Sequence, residues 1–442
     1  MKTEAIAAPA VIQFKEALKF WVKLGFINFG GPAGQIAMMQ HELVDRKRWV
    51  SQSQFVRALN FCMILPGPEA QQLAIYIGWR LHGILGGIVA GSFFVIPSIF
   101  VLLALSWMVV VSSDVLAIRG LLYGVQPVVI AIVASAVLRI GKKTLCHWGL
   151  AVYAGAAFVA LHFFDVPFPY VIGTAALSGT ILERFWPHVF ASCKIGHDAC
   201  TDTEIQGNSQ NQNIRPSAWR NLKLLVIFFL LWGIPVGALW VWRGSLDVLV
   251  QEAILFSKAA FVTFGGAYAV LTYIADMAVN HHGWLDAHQM VQGLGLAEST
   301  PGPLIMVTQY IGFIAAWNMH GEFHPLFYAI LGALIATYMT FLPCFFFIFL
   351  GAPYIELLSG NRRIQAALVG VAAAVVGVIV NLAVFFGQKV LFPAQGVFDY
   401  FAAALAVVSF GLALKFRIPM HYLVPVGALA GMVWHLFGYG AA

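Results

Sequence analysis

The sequence predicts an all-α polytopic membrane protein built from two inverted-topology repeats, and three observations carry that prediction. The 442 residues are 60% hydrophobic and 10% charged, where a soluble domain carries about 25% charge. Continuous apolar runs such as Ile84–Val111 and Phe323–Leu350 recur, and about 20 apolar residues are enough to cross a bilayer. These runs do not alternate, which excludes a β-barrel. The third observation is an internal repeat. At an offset of 235, KLGFINFGG (Lys23–Gly31) falls on KAAFVTFGG (Lys258–Gly266), Trp49 on Trp284, and Gln54 on Gln289. The Pro-Gly-Pro of Pro66–Pro68 falls on that of Pro301–Pro303, after which the register slips by one and Tyr76–Gly78 matches Tyr310–Gly312. So many unlike residues in one ungapped register read as a duplication.

The first repeat, residues 11–183, opens on Val11–Asp45, a helical pattern interrupted at Gly30-Gly31-Pro32. The preceding residues carry Lys and Glu where a cleavable signal would have its apolar core, so none is expected. Kept straight, Val11–Asp45 would run about 50 Å, too long for a hydrocarbon core of about 30 Å. Bent at the glycines, it becomes a re-entrant or broken helical hairpin. Ser51–Arg80, broken at Pro66-Gly67-Pro68, reads the same way. Four spans follow at about Ile84–Val111, Val115–Ile140, Cys146–Phe164 and Phe168–Leu182. A polar linker occupies 184–220 and one linking transmembrane helix 221–243. The second repeat, 247–440, brings two more hairpins and spans near Phe323–Leu350, Arg363–Phe386, Phe398–Leu414 and Met420–Phe437.

Charge sets the orientation. With the N-terminus in the cytoplasm, Arg139, Lys142, Lys143, Arg184, Arg215, Arg220, Lys223, Arg362, Arg363, Lys415 and Arg417 all fall in cytoplasmic connections. DRKRW (Asp45–Trp49) obeys that rule only if Val11–Asp45 is a hairpin. The single linking helix makes the count between equivalent elements odd, so the repeats are expected to be inverted. The net charge of +6 is the excess of an inner-membrane protein; it also suits an anionic substrate, and no nucleic acid is expected. The five cysteines lack paired spacing and are expected to be reduced. Cys193, His197 and Cys200 in the linker are too loosely spaced to predict a metal site.

The breaks themselves suggest chemistry. Glycine lets the chain turn sharply and proline suits the start of a helix. Pro32, Pro68 and Pro303 then mark starts of half-helices, whose unpaired N–H groups and positive dipole ends suit a compact oxyanion. Asn28 and Thr263 correspond, each just before Phe-Gly-Gly; both can donate hydrogen bonds to an anion or cap their own helix. Lys23 and Lys258 also correspond, about 10 Å before the glycines. They read either as paired cationic approach points, one per face, or as lysines snorkelling to head groups. Arg57 has Gln292 as its equivalent and reads as snorkelling. Glu69, in a first helical turn, is a dipole cap or a proton carrier, and Glu298 lies just before the second Pro-Gly-Pro. His41, Glu42, His281 and His282 fall at hairpin ends and read as interfacial.

NFGGPAGQIAMMQ…W, then LPGPEAQQLAIYIGW, then TFGG…STPGPLIMVTQYIGF resemble the chromate transporter family in its long two-domain form, over essentially Phe14–Gly440. The resemblance implies chromate efflux and chromate resistance, with sulfate as a related anion. Its matching positions are Gly30, Gly31, Pro32, Pro66, Gly67, Pro68, Glu69, Gly265, Gly266, Pro301, Gly302 and Pro303. The second half departs in reading GGAY where the first reads GGPA. The expectation is a secondary active exporter of the bacterial inner membrane, with an oxyanion and the bilayer as partners and a homodimer as a compatible assembly. The rival readings are a sulfate transporter or a lipid-phosphate flippase of the same architecture. An enzyme is not expected: the chain lacks His-Glu-x-x-His and Gly-x-Ser-x-Gly motifs, and neither metal nor cofactor is implied.

Overall fold

The computed structural model describes residues 12–112, 114–191, 217–264, 266–355, 362–393, 397–416 and 418–437. The protein is helical in both halves. In the first, α1 (Phe14–Ile27) is followed by α2 (Gly31–Gln40) with a π-helical turn (His41–Arg46), then α3 (Gln52–Ile64), α4 (Glu69–Phe93) and α5 (Ile96–Val111). Next come α6 (Leu116–Thr144), α7 (Trp148–Phe164), α8 (Phe168–Leu182) and the short α9 (Pro187–Ala191). The linking helix is α10 (Ala218–Arg243). In the second half, α11 (Val248–Val262) is followed by α12 (Ala267–Ala275) with a π-helical turn (Asp276–His281), then α13 (Ala287–Ser299), a 3₁₀ turn (Leu304–Met306) and α14 (Val307–Asn318). The last helices are α15 (Pro325–Gly351), α16 (Arg362–Leu391), α17 (Tyr400–Lys415) and α18 (Met420–Leu436).

The duplication extends to local hydrogen bonding. Both π-helical turns occur at equivalent residues. Trp49 N donates to Leu43 O, and Trp284 N to Ala278 O, each at 2.8 Å. Arg48 and its equivalent Gly283 both have left-handed backbone, φ 53° and 59°. Capping boxes start α3 (Ser51 with Gln54) and α13 (Asp286 with Gln289), satisfying two orphan donors at each start. Lys47 lies 4.4 Å over the Trp49 ring, and its equivalent His282 stacks on Trp284 at 4.5 Å. His282, in this loop, has its pKa lowered by burial and by neighbouring His281.

The hairpins close. Lys47 Nζ meets Glu16 at 3.2 Å and Trp49 packs edge-on against Phe20, so the chain that runs out along α1 returns along α2. His82, after the first arm of α4, contacts the Ile12 carbonyl at 3.0 Å, so the second hairpin returns to the same end. In the other half, Asn318 at the end of α14 donates to Trp284 O at 2.9 Å. The run from Gly83 through α5 crosses between these two open ends. Its start lies beside His82, and its far end, Val109, shares a cavity with Asn318.

The helices around the hairpins are exchanged between halves. Gly120 and Gly124 of α6 pack against Gly427 and Gly431 of α18, while Gly370 and Gly377 of α16 pack against α8 and α7. A Gly-x-x-x-Gly pair on each helix of the first interface lets the backbones approach closely. Gly78 packs on Gly86 and Ala90, and Gly312 on Gly332 and Ala336, so the helix after each Pro-Gly-Pro meets the next helix in the same way. Peripheral α10 buries only Phe228 and leaves Phe229, Leu230, Leu231 and Ile234 exposed, as a lipid-facing helix would.

Some expectations need correction. The span expected at Ile84–Val111 is interrupted between α4 and α5, and α4 is itself kinked at His82 and Gly83, where Gly83 has φ 64°. α7, α8, α17 and α18 have 17, 15, 16 and 17 residues, about 22–26 Å, short beside the five longer apolar helices. Cys62 and Cys344 are free and buried, but Cys146 is disulfide-bonded, against the expectation of reduced thiols. Cys193, His197, Cys200 and Gly265 lie outside the described residues.

The paired helix breaks as a candidate functional site

α1 stops at Asn28 (φ −82°, ψ 68°), and α11 stops at its equivalent Thr263 (φ −76°, ψ 87°). Beyond each, Phe N–H folds back onto the carbonyl two residues earlier at 3.0 Å (Phe29 to Ile27, Phe264 to Val262). Gly30, Gly31 and Gly266 then turn through φ 91°, 66° and 103°, a region costly for residues with a Cβ. At the other two breaks Gly67 and Gly302 have φ 127° and 118°.

The four breaks meet, and they meet by exchange. Gly67 N–H donates to Thr263 O, and Gly302 N–H donates to Asn28 O, both at 2.8 Å. Each Pro-Gly-Pro therefore hydrogen-bonds the Phe-Gly-Gly break of the opposite repeat. Such reciprocal pairing of i with j and j with i is what a two-fold relation generates.

Polar side chains hold the crossing in place. Gln35 Nε2 donates to Gly302 O at 2.7 Å, Gln72 Nε2 donates to Pro66 O at 2.7 Å, and the Ser98 hydroxyl donates to Pro301 O. Ser98 follows Pro97 in α5 as Cys344 follows Pro343 in α15. A Cβ at Gly302 would strike Ser98 Oγ; one at Gly67 would lie 3.0 Å from Cys344 Sγ and 2.7 Å from Gln72 Nε2.

Pro32 lies in the first turn of α2, and Pro68 and Pro303 directly precede helix starts, as expected. The starts are not alike. In α4 the first helical bond is Gln72 N to Pro68 O at 3.0 Å, leaving the amides of half-buried Glu69 and of Ala70 and Gln71 before it. The start after Pro303 is instead a 3₁₀ turn sealed by buried Leu304, Ile305 and Met306. Not all four starts are therefore open to an anion.

Asn28 and Thr263 part company. The Thr263 hydroxyl bonds Ala259 O at 2.6 Å, a local cap. Asn28 is fully buried, yet neither its Nδ2 nor its Oδ1 has a partner among the described residues. A buried amide left unpaired costs about 1–3 kcal/mol, which a ligand would offset. Glu298 is 5% exposed and accepts a hydrogen bond from Tyr268. Tyr268 is the tyrosine of GGAY; the first repeat has Ala33 and Met63 at these two positions. Besides Ala267 in place of Pro32, the departure between repeats is thus one hydrogen-bonded pair. Arg139 of α6 lies within electrostatic reach of Tyr268 and Glu298, and Lys143 of Glu69. Lys23 and Lys258 are exposed and form no side-chain hydrogen bond or ion pair with described residues.

Sequence reasoning missed Gln35, Gln72, Ser98, Cys344, Tyr268, Arg139 and Lys143. Ser98 and Cys344 carried a signal, a proline followed by a small polar residue in both halves, but at an offset of 246 that the longer α14–α15 connection creates. Gln35 carried none, because its equivalent is Val270.

A profile of the chromate transporter family matches residues 15–180 and 250–432. The chain belongs to the chromate transporter family. Its two matched segments coincide with the two structural repeats. It is 31% identical to the chromate transport protein of Pseudomonas aeruginosa over 98% of this chain and 95% of that protein. It is 27% identical to the chromate transport protein of Cupriavidus metallidurans (95% and 92% covered). Against the probable chromate transport protein of Synechococcus elongatus it is 26% identical, with 95% of each covered. No solved structure matches it. It is a multi-pass membrane protein of a transporter family.

Proposed function

We propose that this protein is a secondary active transporter that exports chromate across the bacterial inner membrane, with its N-terminus in the cytoplasm. The anion binds where the four breaks cross, among Asn28, the turns at Gly30-Gly31-Pro32 and Gly266, and the Pro66-Gly67-Pro68 and Pro301-Gly302-Pro303 segments. The unpaired Asn28 amide carries this reading: it is a buried donor and acceptor at the crossing with no partner among the described residues. A tetrahedral dianion is suited to such fixed amides because they neutralise it without a mobile charge. Sulfate shares that shape and charge and is expected to compete.

The repeats are proposed to be inverted about the crossing. What supports this is the exchange of hydrogen bonds between breaks and the placement of the two pairs of open hairpin ends at opposite ends of the Gly83–Val109 run. Thr263 supplies backbone rather than hydroxyl; Lys23 and Lys258 attract the anion from either face. Glu69 and the Glu298–Tyr268 pair are the candidates for linking anion flux to proton flux. Residues 11–183 and 247–440 are the two transport repeats, joined by the 184–220 linker and the 221–243 helix, and a homodimer is compatible with this arrangement. Purified protein in proteoliposomes, assayed with radiolabelled chromate and sulfate with and without a pH gradient, tests the proposal. Chromate flux that responds to the pH gradient is expected. Lipid translocation without chromate flux would replace this reading with the flippase.

A further inference from the structure

The two ends of the pathway are chemically unequal. α5, α13 and α14 each touch the second-half break at one end: Ser98 donates to Pro301 O, Thr300 closes α13, and the 3₁₀ turn opens α14. At their other ends the same three helices, with α6, enclose a cavity of about 440 Å³. Its polar lining is Arg119, Tyr123, Gln126, Gln289, Gln292 and Asn318. From Ser98 to Val109 is about 16 Å along a helix, so the cavity lies in line with the break, toward one end of the protein.

Carboxylates surround this cavity. Arg119 is paired with Asp114 at 3.0 Å, Tyr123 donates to Asp399 at 2.6 Å, and Asp286 caps the helix that carries Gln289 and Gln292. The equivalent positions at the opposite end of the pathway differ in charge. Gln292 becomes Arg57, and Ile314, another cavity residue, becomes Arg80. Phe61, one turn after Arg57, packs on the Tyr76 ring at 5.8 Å, and Arg80 follows Tyr76 by one turn, so the two arginines extend toward the same end of the hairpin; Arg57 is exposed.

We propose that Arg57 and Arg80 form a loading site for a tetrahedral oxyanion dianion, and that the amide-lined cavity at the other end is a release vestibule with little affinity for it. This rests on the proposed export function and assigns loading to the arginine end and release to the amide end. Two guanidiniums that form no ion pair among the described residues concentrate a dianion. Neutral amides ringed by aspartates let it leave.

Two readouts test the proposal on the full-length protein. The first is the concentration dependence of radiolabelled chromate uptake into inside-out and right-side-out membrane vesicles. Arg57→Gln, the second repeat's own residue type, is expected to raise KM at least fivefold from the arginine face and to leave the opposite face within twofold. Gln292→Arg is expected to lower KM severalfold from the opposite face. Equal wild-type KM at both faces, or variants that move both faces together, would overturn the loading site while leaving chromate transport standing. The second readout needs no flux. Labelling of Ser53→Cys, one turn before Arg57, by a membrane-impermeant thiol reagent is expected to slow severalfold in sulfate, measured over the parent protein's background. That protection is expected to vanish when Arg57→Gln is added. Protection without chromate flux would keep an oxyanion loading site and remove chromate as the substrate; no protection would remove the site.

Discussion

A methyl group placed on Gly31 or Gly266 would meet nothing within 4 Å, while one placed on Gly302 would strike Ser98 and one on Gly67 would crowd Cys344 and Gln72. All four glycines have left-handed backbone, so backbone freedom is needed at every break. Close approach is needed only at the Pro-Gly-Pro pair. The Phe-Gly-Gly turns are open and free to face a ligand; the Pro-Gly-Pro turns are wedged against a helix of the other repeat, α5 at Gly302 and α15 at Gly67, and against that repeat's break. On the proposed site, holding the shape and admitting an anion fall to two different kinds of break.

That division can be broken experimentally. Gly302→Ala is expected to be the most damaging single change, about 3 kcal/mol from strained backbone plus overlap with Ser98. It should show as loss of membrane abundance and a lowered unfolding temperature in detergent. Adding Ser98→Gly should recover part of that loss, and no recovery would mean the Ser98 contact is not the cause. Gly67→Ala should cost about 2 kcal/mol, since the Gln72 side chain can move aside.

Gly31→Ala should cost about 1 kcal/mol of backbone strain with no clash. Near-normal abundance is expected with reduced chromate flux, and normal flux would argue that the open turns do not meet the anion. The carboxylates compare the repeats instead. Glu69→Gln should preserve chromate binding and flatten the dependence of flux on pH, because the amide resembles the protonated carboxyl while a carboxylate beside an oxyanion is repulsive. An unshifted profile assigns Glu69 to capping and leaves the coupling role to Glu298, where Tyr268→Phe and Glu298→Gln are expected to act alike. Smallest is the effect of Lys23→Ala or Lys258→Ala, a two- to threefold rise in the chromate concentration giving half-maximal uptake. Neither lysine has a partner to lose among described residues, so an unchanged curve identifies them as snorkelling anchors.

The repeat was legible in the sequence because its evidence is local. Trp49 and Trp284, Gln54 and Gln289, and the glycines occupy the same register, and each specifies a turn or cap that its neighbours complete. The hairpins were legible too, because a helix about 50 Å long cannot cross a core of about 30 Å without bending. The interruption at Phe94–Val95 was not, since an apolar run looks the same whether straight or jointed. The role of Asn28 was only half legible: its position announced a donor, but its pairing with Thr263 suggested equal behaviour, and the two side chains act differently.

From the sequence alone came the membrane class, the duplication and the four breaks, which follow from composition, periodicity and backbone preference at single positions; the family likeness came from the resemblance of its motifs. Only the tertiary structure decided which break meets which. The Gly67–Thr263 and Gly302–Asn28 bonds join residues about two hundred or more positions apart, and no local preference encodes a partner at that range. The reason is energetic: in a bilayer an unpaired backbone group costs several kcal/mol. Each opened turn must therefore find a partner, and the exchanged packing of the two halves places the equivalent turn of the other repeat within reach.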